Sequence, residues 1–435
     1  MELFPYPNRE QPVRSLGKFH SSPKPQLTSE GRVRMYGVAN TEFAPYLVME
    51  DWIIDHYERM QVYAPWFDEH TAWYVNGLEY KDLYAIYNCA QLFCDQESQA
   101  MYDRAMQAEA DPDLPDWILK DSQGNPLYIP WGCESGTCPQ LATDISNSTF
   151  RTSWIEQMTS ALRGGNYRGL FVDDVNLDLN RAVSDGNQCT LISENCDWTV
   201  DINEADWAGF VADFTAEIRA AFPDCEIVHN SVWYHAQPGN LYLQRQVDAA
   251  DHIALERGIN DPGMQPGWGT FGIESFLDFN DYLHGRGRNV VHFIHINALA
   301  HKEAFDPGEP VFTQPLFPLK QIEYGLAGWL LVSNGHDLFG ADEFNTPYDW
   351  WHGFDIDLGL ALGERYQDLN GLLRRDFEYG IVLLNGPGTS FPVTVTLSET
   401  FYTLEGDPVD EITLEARVGK ILLREPLKFD SFVIP

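Results

Sequence analysis

Basic residues are scarce in this 435-residue chain: 28 Lys and Arg stand against 65 Asp and Glu, a formal net charge of −37. A field of that sign repels phosphate backbones and anionic headgroups, so nucleic acid and membrane surfaces are excluded as partners. A strongly anionic polysaccharide is disfavoured on the same ground. No apolar run approaches the ~18 residues of a membrane-spanning helix. The first candidate strand runs into Gly37-Val38-Ala39-Asn40. That turn is not Gly-rich, which speaks against a doubly wound dinucleotide fold. Gly-x-Ser-x-Gly is missing, and with it the elbow of a serine hydrolase. Neither Cys-x-x-Cys nor a His-x-His after the first strand occurs, so no metal and no cofactor are expected. No fixed-period repeat marks a solenoid.

What is present suits a large folded unit. Hydrophobic residues make up 44% and aromatic residues 13%, enough for a sizeable core. Seven cysteines fall as the close pairs Cys89/Cys94, Cys133/Cys138 and Cys189/Cys196, plus Cys225. Close pairs in polar loops predict local disulfides and an oxidising, secreted or periplasmic setting. Cys225 is left as a buried thiol. Met1 to Gln26 is polar and Pro-rich, without the apolar core of a leader. An exported form is expected to have lost its signal.

Residues 1–30 read as an extended arm, 31–375 as a barrel and 376–435 as a β-sandwich. Strands are expected at 33–38, 62–67, 83–87, 169–174, 226–230, 252–256, 290–294 and 328–332, nearly all alternating with helical spacing. Helices are expected at 50–60, 97–109, 148–162, 204–221, 241–247, 273–284 and 319–325. Residues 117–129 read as a hairpin, and 180–200 as a long loop. Eight strands in this rhythm predict an α/β chain, a (β/α)8 barrel with a C-terminal antiparallel β-sandwich. The sandwich is read from short β-like runs such as Gly380–Asn385 and Val393–Leu397.

The chemistry of such a barrel gathers where strands deliver polar residues at their C-terminal ends. The central strand, Gly169-Leu170-Phe171-Val172-Asp173-Asp174, ends in two acids, and Ile253-Ala254-Leu255-Glu256 ends in a third. Alternation puts Asp173 on the Phe171 face and Asp174 on the other. In barrels of this kind the first acid of a Phe-x-Asp-Asp ending points inward, so Asp173 is the chemical candidate and Asp174 its brace. One protonated and one ionised carboxylate facing a cleft are what glycosidic cleavage needs, which points to Asp173 with Glu256. Asn40, Asn88, Asp144, His229, Asn230, His295 and Asn334 are the other strand-end candidates, for substrate binding, with Asp174 beside them. Asn297 is weaker. Trp233, with Trp66, Trp131, Trp268, Trp350 and Trp351, could supply sugar-stacking faces. The alternative is a non-catalytic carbohydrate-binding barrel or a structural assembly subunit.

The acid-terminated strands, together with Asp357-Leu358-Gly359 and Arg375-Asp376-Phe377-x-x-Gly380, resemble the barrel glycoside hydrolases related to the endo-α-1,4-polygalactosaminidases. The resemblance runs from about residue 33 to 423. It implies a hydrolase of O-glycosyl bonds in a polysaccharide or oligosaccharide, with a catalytic Asp at Asp173 and a catalytic Glu at Glu256. The hairpin and the Cys-containing stretch Asn180–Val200 depart from the pattern beside the cleft.

Overall fold

The computed structural model describes residues 29–39, 50–64, 66–111, 113–114, 116–131, 133, 138–186, 199–234, 237–295, 316–342, 350–388 and 391–427. Eight parallel strands close into a barrel. They are β1 Met35–Ala39, β2 Tyr57–Val62, β3 Gly77–Asp82, β4 Tyr167–Asp173, β5 Glu226–Asn230, β6 His252–Glu256, β7 Asn289–Ile294 and β8 Leu338–Ala341. Each pairs with its neighbours in sequence order, and β8 closes on β1 through Phe339 and Met35. The expected (β/α)8 architecture is present.

Alternation sorts every strand into a lumen face and a helix-packed face. Tyr36, Leu78, Phe171, Val228, Ala254, Val291 and Leu338 fill the middle of the lumen as a cluster of their own. Beneath them, Arg59 Nε and Nη2 each lie 2.8 Å from the Glu226 carboxylate, and His252 Nε2 lies 3.3 Å from it. Although burial opposes its charge, His252 and Arg59 hold Glu226 well below the usual carboxylate range. That network plugs the floor. The open end is the opposite one, where the next inward positions are Asp173, Asn230 and Glu256.

Helices Ser148–Gly164, Glu204–Ala221 and Leu241–Asp248 start on Asn147, Asn203 and Asn240, whose side chains accept first-turn N–H groups. Trp154 is fully buried on the first of these helices. It meets Phe214 edge-on at 5.5 Å and donates Nε1–H to the Asp82 carbonyl at 2.8 Å. Trp154→Ala should lower stability by about 3–5 kcal/mol, from cavity and lost hydrogen bond together. Urea unfolding followed by circular dichroism would read this, and a change under about 1 kcal/mol would contradict it.

Three strands lie where the sequence did not suggest. The expected helix 50–60 stops at His56, and β2 begins at Tyr57 rather than at residue 62. Its lumen positions are Arg59 and Gln61, so it does not read as apolar. The third strand is Gly77–Asp82, with Glu79 and Lys81 on its outer face. Ala85–Tyr87 instead pairs antiparallel with Gln140–Ala142, outside the barrel. The expected strand 328–332 is the last part of helix Leu316–Val332, and β8 follows at Leu338. An apolar run buried on all sides looks the same whether helical or extended.

Residues 118–128 form a short hairpin, with Lys120 bridging Pro126, whose arms also bridge residues 141 and 143. The Asp121 carboxylate accepts the N–H groups of Gln123 and Asn125 and holds the turn. The stretch 187–198, with Cys189 and Cys196, lies outside the described residues. Cys89–Cys94 and Cys133–Cys138 are disulfides, and Cys225 is a buried free thiol.

The C-terminal part is a six-stranded antiparallel sheet, beginning at Tyr366, ahead of the expected junction at 375. Strand Val393–Tyr402 meets Val418–Leu423 only at Tyr402 and Leu423, so the sheet folds over on itself. Ile381, Leu383, Val395, Phe401 and Leu414 fill the fold. Its other face docks on helix Leu316–Val332, where Lys420 pairs with the buried Glu323 and Arg375 Nη1 donates to the Leu330 and Ser333 carbonyls. Among the described residues, no helix is long and apolar enough to cross a membrane.

Candidate active site

The acid-bearing strands end abruptly. Asp174, after Asp173, and Arg257, after Glu256, have φ of 52° and 68°, a left-handed conformation that side chains larger than Asn or Asp seldom adopt. Each acid therefore sits at the last extended position of its strand, on the rim of the lumen.

Asp173 is gripped from three sides. Its Oδ1 accepts Asn230 Nδ2 at 2.7 Å and the Asp174 N–H at 2.8 Å, while Oδ2 accepts the Tyr80 hydroxyl at 2.6 Å. Asn230 Nδ2 also lies 3.3 Å from Glu256 Oε2. One amide nitrogen thus touches both acids, and those two oxygens stand at most about 6 Å apart. Glu256 is half exposed, and its Oε1 is 2.9 Å from His295 Nε2. His295 Nδ1 is in turn 3.5 Å from Asp342 Oδ2.

These neighbours push the acids in opposite directions. Burial raises Asp173, against the donors from Tyr80, Asn230 and Asp174. The hydrogen-bonding and charge of His295 hold Glu256 below its ordinary value. Burial lifts Asp82 to about 7, with the Asp173 charge adding to it. Asp174 is raised well above the usual range by burial, Asp82 and Asp173. It accepts hydrogen bonds from Trp131 Nε1 and Asn176 Nδ2, both at 3.2 Å.

His295 rises to about 9, because Asp342 and Glu256 outweigh the burial that opposes its charge. A raised pKa stabilises the fold fully below the unfolded value of about 6.5 and loses that contribution as pH climbs through about 9. His295→Gln should therefore lower Tm most near pH 6 and not at all above about pH 9.5. Melting curves across that window test it, and a Tm difference independent of pH would contradict it.

Asp173, Asp174, Asn230, Glu256 and His295 come together. Trp131 reaches them through Asp174, whereas the expected residues His229, Trp233, Asn88, Asp144 and Asn334 lie elsewhere. His229 is fully buried on the outer face of β5, where burial lowers it to about 3. Trp233 is buried and packs edge-on against Phe276 at 5.4 Å. Asn88 is buried outside the barrel, its N–H bonded to the Pro139 carbonyl. Asp144 makes a turn ahead of helix Ser148–Gly164 by accepting the Ser146 N–H. Asn334 lies at the floor, its Nδ2 3.3 Å from Asn289 Oδ1 at the start of β7. It follows a helix rather than a strand, which is why it sits at the wrong end. Asn40 and Asn297 lie outside the described residues.

Tyr80, Asp82 and Asp342 were not anticipated. Asp82 is the register partner of Asp173 across β3 and β4. Counting by twos back from Asp82 to Tyr80 and Leu78 would have exposed the lumen face of β3. Among the described residues, no three His, Cys, Asp or Glu are grouped to hold a metal ion.

A model of the family described as hypothetical glycosyl hydrolase family 15 matches residues 75–381. No curated protein matches the chain. Among solved structures, the glycoside hydrolase domain of PelA from Pseudomonas aeruginosa is 14% identical, over 62% of this chain and 87% of that one, with a TM-score of 0.34. A noncanonic maltogenic α-amylase, AmyB from Thermotoga neapolitana, is 10% identical over 89% and 98%, with a TM-score of 0.46. The type III pullulan hydrolase from Thermococcus kodakarensis is 11% identical over 90% and 75%, with a TM-score of 0.47.

Proposed function

The chain belongs to hypothetical glycosyl hydrolase family 15, and from that premise we propose that it cleaves O-glycosyl bonds of a polysaccharide or oligosaccharide through Asp173 and Glu256. The observation that carries the assignment is the shared Asn230 amide, which keeps the two acids within about 6 Å. That spacing suits a retaining enzyme, at ~5–5.5 Å, better than an inverting one, which needs ~6.5–9.5 Å to seat a water.

Asp173 is the nucleophile. Three donors fix both its oxygens and favour the anion, leaving little freedom to carry a proton to a leaving group. Its oxygen attacks the anomeric carbon as the glycosidic bond breaks. Glu256, half exposed on the rim, gives the departing oxygen a proton. In the resting site that proton lies on the His295 side of the Glu256–His295 pair, and it passes to Glu256 as charge develops on the leaving oxygen. A water then attacks the glycosyl-enzyme, and Glu256 takes its proton. The exposed Trp131, which donates to Asp174, offers a ring face at the mouth for a sugar. The two disulfides fit an exported enzyme acting in an oxidising compartment.

The test is a screen of neutral and N-acetylated polysaccharides for released reducing ends, with the first-formed anomer read by proton NMR. Release with retained configuration is expected. Sugar binding with no release from any polymer would refute the reading, and an inverted first product would refute the nucleophile.

A further inference from the structure

A cavity of about 320 Å³ lies behind β3, on the far side of that strand from the lumen. Helices Gln96–Ala110 and Ser148–Gly164 flank it, and the loop closed by Cys89–Cys94 forms its lip. It shares Tyr80 and Asp82 with the candidate active site. Tyr80 holds Asp173, and Asp82 is the register partner of Asp173, so one strand separates the cavity from the proposed nucleophile.

The wall is polar and incompletely paired. Glu79 is buried and lines the cavity; its Oε1 accepts the Ala64 N–H at 3.4 Å and the Tyr167 hydroxyl interacts with its carboxyl, while its buried Oε2 has no hydrogen bond of good geometry among the described residues. Gln157, on helix Ser148–Gly164, hydrogen-bonds the Glu97 carboxylate through its side chain and leaves its buried Oε1 without a partner among the described residues. Native proteins seldom leave such acceptors unpaired. Lys81 and Glu97 add a donor and an acceptor to the same wall, and Phe93 stands largely exposed at the lip. Unpaired acceptors, an ammonium and an aromatic edge around a small cavity are complementary to a ring of hydroxyl groups. From this geometry we infer that the cavity is a second sugar subsite, which seats one neutral pyranosyl unit of the glycan whose chain crosses the barrel mouth.

Charge argues for a neutral unit. Burial lifts Glu79 to about 8, so that this acid is mostly uncharged at neutral pH and can donate as well as accept. Glu97 and Asp95 repel an anionic sugar, and Lys81 among these acids offsets part of the charge that would draw in a cationic one. The size, at the small end of ligand cavities, admits a single ring rather than a folded chain. The source of the sugar rests on the glycosidase reading, whereas the site itself rests on the cavity.

The test measures binding apart from cleavage. Methyl glycosides of glucose, galactose, N-acetylglucosamine and N-acetylgalactosamine are titrated by ligand-observed NMR against the whole chain, Asp173→Ala, Phe93→Ala and Glu97→Gln. Phe93 and Glu97 are exposed, and circular dichroism of those two variants checks that they fold. At least one neutral glycoside should bind the wild type and Asp173→Ala alike, with Kd raised about tenfold or more in Phe93→Ala and Glu97→Gln. No binding of any of the four overturns the subsite, as does binding that both lip variants leave unchanged. The methyl glycoside of glucosamine is titrated beside the four as the cationic control, and a preference for it over the N-acetyl form overturns the neutral assignment. Binding that follows the expected pattern in a protein that releases no reducing ends upholds the subsite and removes the glycosidase reading alone.

Discussion

Replacing Asp173 with Ala should lower kcat on a cleaved glycan by roughly 10⁴-fold or more, with binding retained. Loss of the attacking oxygen removes the covalent step, and the neighbours cannot replace it. The Tyr80 hydroxyl and Asn230 Nδ2 are donors aimed at the missing carboxylate, not nucleophiles. If Asp173 forms the glycosyl-enzyme, azide added to Asp173→Ala should enter the vacated space and give a glycosyl azide of inverted configuration. Residual activity within about tenfold of wild type would remove Asp173 from the chemistry. Because Asp173 is tied to β3 and β5 as well as to its own strand, a melting curve must accompany the assay.

Glu256→Gln should cost about 10²–10⁴ in kcat when the leaving group is a sugar, and far less when it is a nitrophenol. A phenol that leaves readily as its anion needs no proton, so the size of the loss must follow the basicity of the leaving group. That dependence separates the acid from the nucleophile, whose removal hurts all substrates alike. The pH profile should change as well. In the wild type the Glu256–His295 pair retains its proton until pH nears the His295 value of about 9, which sets the alkaline limb. In Glu256→Gln that limb should disappear. If the leaving-group dependence arises with Asp173→Asn instead, the two roles are exchanged. The raised Asp173 and lowered Glu256 of the resting site make this a real contest between environment and donor geometry.

How far the site could be read from the chain depended on each strand's neighbours. Asp173 and Glu256 end runs that are apolar on both faces, so their strands stand out and the acids mark the ends. Strand β3 was hidden because its outer face carries Glu79 and Lys81 against the cavity behind it, so the run Gly77–Asp82 lacks an apolar signature. Its disguise concealed Tyr80 and Asp82. The Asn334 placement failed for the opposite reason. Helix Leu316–Val332 is packed between barrel and C-terminal sheet, and an apolar run at Gly328–Val332 carries no trace of its period. His229 was misplaced by one position of alternation, since it neighbours the inward Asn230 and points into the helix layer.

The chain by itself determined the alternating βα rhythm, with five of the eight barrel strands in place, the antiparallel C-terminal part and the pairing of Phe171 with Asp173 on one face, because periods of 2 and 3.6 are local properties of sequence. Tertiary structure alone decided that Asn230 would stand between Asp173 and Glu256, that His295 would reach Glu256, and that Asp82 would lie beside Asp173. Those contacts join positions 26 to 91 residues apart, and they depend on inter-strand register and barrel closure, which no local period encodes.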